Sequence, residues 1–218
     1  MNATDNNPAD ILSRDVPVAV IGLGTMGHGI AQAFAMGGYT VRAIDETKSA
    51  ADSARERITG NLEQLATVGL LAAEQIPDVL GRITVCDTLE ETVSGTGLVT
   101  EAAWENLDVK KELLQLIEPL VDDQTILASN SSSFPISESA RDLANPERAV
   151  VTHWFNPPHV IPVVEVVGGE RTSDQTVNTA LATLESIGKT GWTKHIETGR
   201  ERVGGNDFDA DSNDISKS

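Results

Sequence analysis

Cysteine is almost missing from this 218-residue chain. Cys86 stands alone, so no intrachain disulfide framework and no cysteine-built zinc site can form. It sits in an apolar run and reads as a small buried thiol. Long hydrophobic runs are missing too. Nothing approaches the roughly 18 residues of a bilayer span, which excludes a membrane-spanning chain. Basic residues are scarce, with 16 Lys and Arg against 33 Asp and Glu for a net charge of −17. The acidity runs through the body of the chain as well as its ends, and it opposes nucleic acid or an anionic membrane as a partner. The amino terminus has neither the basic-then-apolar pattern of a signal segment nor an arginine-rich transit pattern, so a cytoplasmic setting is expected. Of the four histidines, His28 and His159 have no second ligand at metal spacing, and no metal site is expected.

What is present is the composition of a globular domain, 39% hydrophobic and 22% charged. Val16 to Ile21 is an apolar run ended by glycine, Thr25 to Met36 has helical spacing, and Tyr39 to Ile44 is a second short run. That unit of about thirty residues has the size of a strand-helix-strand crossover, which implies parallel pairing. The alternation continues, with helices over 49–66, 73–80, 107–120 and 174–187 and strands over 83–86, 97–101, 125–128, 150–154 and 161–167. Near-continuous apolar strands between amphipathic helices predict an α/β fold of the doubly wound type, with a mostly parallel sheet covered on both faces. From Gly191 the pattern fails, and 199–218 reads as a disordered tail rich in glycine, aspartate and serine.

Gly22-Leu23-Gly24-Thr25-Met26-Gly27 fits Gly-x-Gly-x-x-Gly, directly after a strand and opening a helix. Asp45 ends the second strand 23 positions after Gly22, the spacing at which a carboxylate meets an adenosine ribose while a pyrophosphate rests on the helix amino terminus. Gly22 permits the turn, Gly24 admits the backbone to the pyrophosphate, and Gly27 lets helix and strand close up. Asp45 followed by Glu46 would repel a 2′-phosphate, which favours NAD over NADP. The alternative is a plain glycine turn with a solvated aspartate.

A second constellation gathers at strand ends. Glu101 and Glu105 follow one strand, and Ser129-Asn130-Ser131-Ser132-Ser133 follows the next, both on the edge where open α/β sheets bind ligands. A serine-rich loop is as readily a helix-capping turn. His153-Trp154-Phe155-Asn156-Pro157-Pro158 places an imidazole beside aromatics and prolines. Glu165 then interrupts Val163 to Val167, and a carboxylate centred in an apolar strand requires a partner. If the strands are adjacent, the proline turn returns Glu165 to His153, where it can fix the tautomer of a general base. A satisfied core histidine with a glutamate on an exposed strand face is the competing reading. An NAD fold carrying such a pair, without metal or reactive thiol, most simply moves hydride between nicotinamide and a secondary alcohol or ketone.

Taken together, Val18 to Asp45, Glu101 to Lys110, Leu127 to Ser133 and the segment His153 to Pro157 with Glu165 resemble the amino-terminal NAD-binding domain of the 3-hydroxyacyl-CoA dehydrogenase family. The resemblance covers about residues 15 to 190. It implies a Rossmann-type fold, a role in fatty-acid β-oxidation, and NAD held by Gly22, Gly24, Thr25, Met26, Gly27 and Asp45. It also implies His153 as base, Glu165 as its orienting carboxylate, and Ser132 and Asn156 at the substrate oxygen. Glu105, Lys110, Ser132 and Asn156 would approach the nicotinamide end of the cofactor. The expected substrate is an L-3-hydroxyacyl-CoA, oxidised to the 3-ketoacyl-CoA. Arg55 and Arg57 are the only cations in the helix where the family gathers CoA contacts, so a small free 3-hydroxy acid of the gulonate or carnitine type stays open, as does an inactive NAD-binding module. The expected layout is a polar leader over 1–14, the Rossmann domain over 15–190 and an unmatched tail over 191–218. The family's carboxy-terminal helical domain, which builds the homodimer and closes the site, is absent from this reading, and a truncated or frame-shifted product is the expectation.

Overall fold

A computed structural model describes residues 11–194 and 201–203. The chain begins with β1 (Val18–Ile21), α1 (Gly27–Met36), β2 (Val41–Ile44) and α2 (Lys48–Thr67). It continues with α3 (Ile76–Gly81), β3 (Ile83–Val85), α4 (Leu89–Val93), β4 (Leu98–Glu101), α5 (Leu107–Ile117) and β5 (Ile126–Ser129). Last come α6 (Ile136–Ser139), β6 (Ala149–Trp154), β7 (Val163–Gly168), α7 (Asp174–Ser186), β8 (Thr190–Lys194) and β9 (Glu201–Val203). The strands form one sheet in the order β3-β2-β1-β4-β5-β6-β7-β8-β9. The first six in that order run parallel. β7 turns antiparallel to β6, β8 is parallel to β7, and β9 is antiparallel to β8.

Strands β1, β4 and β5 are buried at every position, because helices cover both faces. One face packs Val18, Val20, Val150, Val164 and Val166 against Ile30 and Phe34 of α1, Ile58 and Leu62 of α2, and Val177 and Leu184 of α7. The other packs Ala19, Ile21, Val99, Leu127 and Val151 against Leu114 and Ile117 of α5 and Ile136 of α6. Helix starts follow from capping side chains that take otherwise orphaned amides: Thr88 from Glu91, Asn106 from Asp108 and Val109, and Ser173 from Thr176. Phe34 of α1 meets Trp154 of β6 edge-on at 5.7 Å between ring centres, and Tyr39 at 5.9 Å.

Sheet order reverses between β1 and β4, and this switch point is where ligands enter such sheets. Gly22 lies there at φ +94, packed so closely on Ala102 that a β-carbon would fall 2.7 Å from its carbonyl oxygen.

One expectation changes. The pattern does not fail at Gly191: β8 pairs with Val163–Val166 of β7, and 201–203 adds β9. These strands are short and mixed in polarity, so tertiary pairing rather than local periodicity makes them. The polar leader packs on the domain where it is described. The Leu12 amide donates to Thr183, Tyr39 donates to the Leu12 carbonyl, and Arg14 lies 3.8 Å from the centre of the Tyr39 ring. The tail reading over 204–218, residues 1–10 and His195 lie outside the described residues. Among the described residues, no helix is long and apolar enough to cross a membrane.

Candidate active site

The glycine loop between β1 and α1 has the dimensions of a cradle. A β-carbon on Gly27 would lie 1.7 Å from the Gly22 carbonyl oxygen, so only glycine lets α1 begin there. At Gly24 the same added atom would meet nothing within 4 Å, leaving the backbone open to an incoming group. Asp45 Oδ2 accepts from the Leu23 amide at 2.6 Å and Oδ1 from the Thr47 amide at 2.8 Å, which fixes the carboxylate at the end of β2. Both oxygens keep further lone pairs for a ribose hydroxyl. Thr25 and Met26 complete the turn into α1.

His153 and Glu165 are register partners across β6 and β7, with His153 Nδ1 2.7 Å from Glu165 Oε2. An ionised carboxylate only accepts, so Nδ1 carries the proton and Nε2 of the neutral ring keeps its lone pair. The Phe155 ring stands 4.7 Å from the imidazole, centre to centre. Asn156 is exposed at the head of the connecting loop, where the Asn156–Pro157 peptide is cis. Asn130 Oδ1 accepts from the Trp154 amide at 2.9 Å and ties the end of β5 to β6.

A cleft of about 640 Å³ has His153, Glu165, Val151 and Ser132 in its lining, with Arg141 and Arg171 among its other residues. Arg171 is spent on the carbonyls of Ala140 and Arg141. Asn156 is not among the residues that line this cleft.

The serine loop is held by one carboxylate. Glu105 Oε1 accepts from the Ser131 hydroxyl at 2.8 Å, the Ser132 amide at 3.0 Å, the Ser133 amide at 3.1 Å and the Ser132 hydroxyl at 3.3 Å. Burial works to raise the Glu105 carboxyl, but the Ser131 hydroxyl, the Lys110 ammonium and the Ser132 amide outweigh it and hold the group below the ordinary carboxylate value. Lys110, expected near the nicotinamide, is wholly enclosed. Its ammonium lies 3.0 Å from Glu101 Oε1, 3.1 Å from Glu101 Oε2 and 3.2 Å from Glu105 Oε2. An ammonium with no exposed surface bridges the two carboxylates, and any influence it has on a ligand passes through Glu105.

Sequence reasoning places Glu101 at a strand end without its task, which is to receive Lys110, the Ser129 hydroxyl at 2.6 Å and the Ala103 amide at 2.7 Å. The Glu-x₈-Lys spacing, bridging a strand end and one turn of α5, was the available signal. Arg55 and Arg57 do not form a phosphate patch. Arg55 donates to the Leu80 carbonyl, and Arg57 turns toward the glycine loop. Among the described residues, no group of three or more His, Cys, Asp or Glu could hold a metal ion.

A dinucleotide cradle at the switch point, with an imidazole-carboxylate pair three strands away on the same edge, defines a Rossmann-type NAD-binding domain. The chain belongs to the 3-hydroxyacyl-CoA dehydrogenase family: residues 17–193 match its NAD binding domain. It is 38% identical over 172 residues to a 5-formyl-3-hydroxy-2-methylpyridine 4-carboxylate 5-dehydrogenase of Mesorhizobium japonicum, covering 78% of this chain and 54% of that protein. It is 39% identical over 188 residues to an L-carnitine dehydrogenase of Streptomyces griseus, covering 85% and 55%. The fold superposes on the crystal structure of 3-hydroxybutyryl-CoA dehydrogenase from Escherichia coli with a TM-score of 0.80 at 36% identity, covering 84% of this chain and 39% of that one. The chain thus spans little more than half the length of the curated relatives it matches.

Proposed function

We propose that this chain carries the cofactor cradle and the catalytic base for NAD-dependent oxidation of an L-3-hydroxyacyl-CoA to the 3-ketoacyl-CoA, a reversible reaction. The observation that carries the reading is the 2.7 Å contact from His153 Nδ1 to Glu165, which leaves Nε2 as a base on a cleft that Ser132 also lines. In the oxidative direction Nε2 takes the proton of the 3-hydroxyl. Glu165 stabilises the imidazolium that forms, which general-base catalysis of this kind turns into about 10²–10⁴ in rate. Ser132, released from its longest contact to Glu105, donates to the 3-oxygen, and Asn156 approaches the same oxygen from the proline loop. Bound NAD would supply the redox chemistry, as acceptor of the hydride that leaves C3. Gly22, Gly24, Thr25, Met26, Gly27 and Asp45 would hold the adenosine and pyrophosphate, and Glu105 fixes the serine loop. A small-molecule substrate, a homodimer as in the family and a cytoplasmic setting go with this reading.

One observation favours a second substrate class. In α2 the arginines donate to the backbone carbonyls of Leu80 and Leu23 and the exposed Lys48 pairs with Asp52, so the helix gathers no cluster of cations for the phosphates of CoA, and the relative from Streptomyces griseus is named an L-carnitine dehydrogenase. Following NADH formation with 3-hydroxybutyryl-CoA, with L-carnitine and with other free 3-hydroxy acids tests both. Turnover of the thioester alone supports the first class and turnover of a free acid alone supports the second. NADH binding without turnover of either leaves a binding module.

A further inference from the structure

The guanidinium of Arg57 lies behind the glycine loop, in the middle of α2. Its Nη2 donates to the Leu23 carbonyl at 2.7 Å and to the Ala50 carbonyl at 3.0 Å, while Nη1 donates to the Gly24 carbonyl at 3.1 Å. His28 Nδ1 approaches the same Gly24 carbonyl at 2.7 Å and Arg57 Nη1 at 2.9 Å. In a planar trans peptide, the carbonyl of one residue and the amide of the next point in opposite directions. Drawing the Leu23 and Gly24 carbonyls toward α2 therefore turns the amides of Gly24 and Thr25 the other way. A β-carbon added at Gly24 would meet nothing within 4 Å, so the backbone there is approachable from outside the fold. Asp45 takes the Leu23 amide, so the donors of the loop are sorted, one inward to the carboxylate and two outward. Successive outward amides at a helix amino terminus make an anion nest.

We propose that Arg57 is a positioning residue of the cofactor site. It touches no cofactor atom, but its fork aligns the two amides that receive the pyrophosphate. The inference rests on the NAD reading above. The fork matters as much as the charge, since the two carbonyls take their donors from two nitrogens of one rigid plane, whereas a lysine offers all its donors from a single nitrogen on a flexible stem.

The test compares the full chain with Arg57→Met and Arg57→Lys, titrating NADH, ADP-ribose, adenosine and CoA. Both substitutions should weaken NADH and ADP-ribose by about tenfold or more, because both ligands carry the pyrophosphate. Adenosine, which has no phosphate, should bind as it does to the unaltered chain, a result that general loosening of the fold would not give. Four results would overturn the proposal: NADH affinity unchanged in Arg57→Met, full recovery in Arg57→Lys, an equal loss for adenosine, or a loss confined to CoA. If the unaltered chain bound neither NADH nor ADP-ribose, the cofactor reading would fall and this inference with it.

Discussion

His153 and Glu165 face one another as a cross-strand pair, so sheet register rather than a flexible loop sets their 2.7 Å contact. A slip of one residue in β7 would send Glu165 to the opposite face of the sheet, into the packing around Val164 and Val166.

The pair is expected to act in chemistry and not in cofactor binding. Replacing His153 with Gln should lower NADH formation by about 10²–10⁴ while the dissociation constant for NADH stays within about twofold. Steady-state rates alongside a fluorescence titration of NADH check this, and undiminished turnover would remove His153 from the role of base.

The two inner glycines of the loop should respond differently. Gly27→Ala forces a β-carbon onto the Gly22 carbonyl and should destabilise the fold by at least about 1–3 kcal/mol. Gly24→Ala has room, so it should melt as the parent does and lose NADH affinity. Thermal melts and titrations on the same two proteins separate strain from recognition.

Lys110→Met leaves the buried Glu101 carboxylate without its counter-ion and should cost about 3–5 kcal/mol in urea unfolding. Adding Glu101→Gln removes the stranded charge, so the double variant should be more stable than Lys110→Met alone. Additive losses would show that the two groups do not act as a pair.

Stability should also follow two histidines. Burial is the main cause holding His28 below the ordinary imidazole value, and Arg57 adds to it. Burial does the same for His159, helped by His28 and Lys189. The unfolded chain therefore binds more protons than the folded one between the lowered values and about pH 6.5, so stability rises with pH across that window. The contribution is fully present above about 6.5 and is lost on acidification. Glu105 and Glu118, both held below their ordinary value, give a second loss only in the carboxylate range. Urea midpoints at a series of pH values check the sign, and a His28→Gln/His159→Gln variant should flatten the upper window.

The strands from Val18 to Val167 were legible as short apolar runs, most plainly β1, β4 and β5, whose two faces are both buried. His153 and Glu165 were legible because a carboxylate in such a run demands a partner. The strands after Thr190 were not, since they borrow order from β7. Nor were the tasks of Lys110 and Arg57. Charge and spacing show that a cation is present, whereas the fold decides whether it faces solvent, a carboxylate or a backbone carbonyl. Helices α4 and α6, of five and four residues, are too short to display a period.

The edge-to-face contact of Phe34 with Trp154 has a mechanical consequence. It packs the helix that starts at the phosphate cradle against the strand that carries the imidazole, inside one continuous core. Sliding between those two would have to break the ring contact and the core around it.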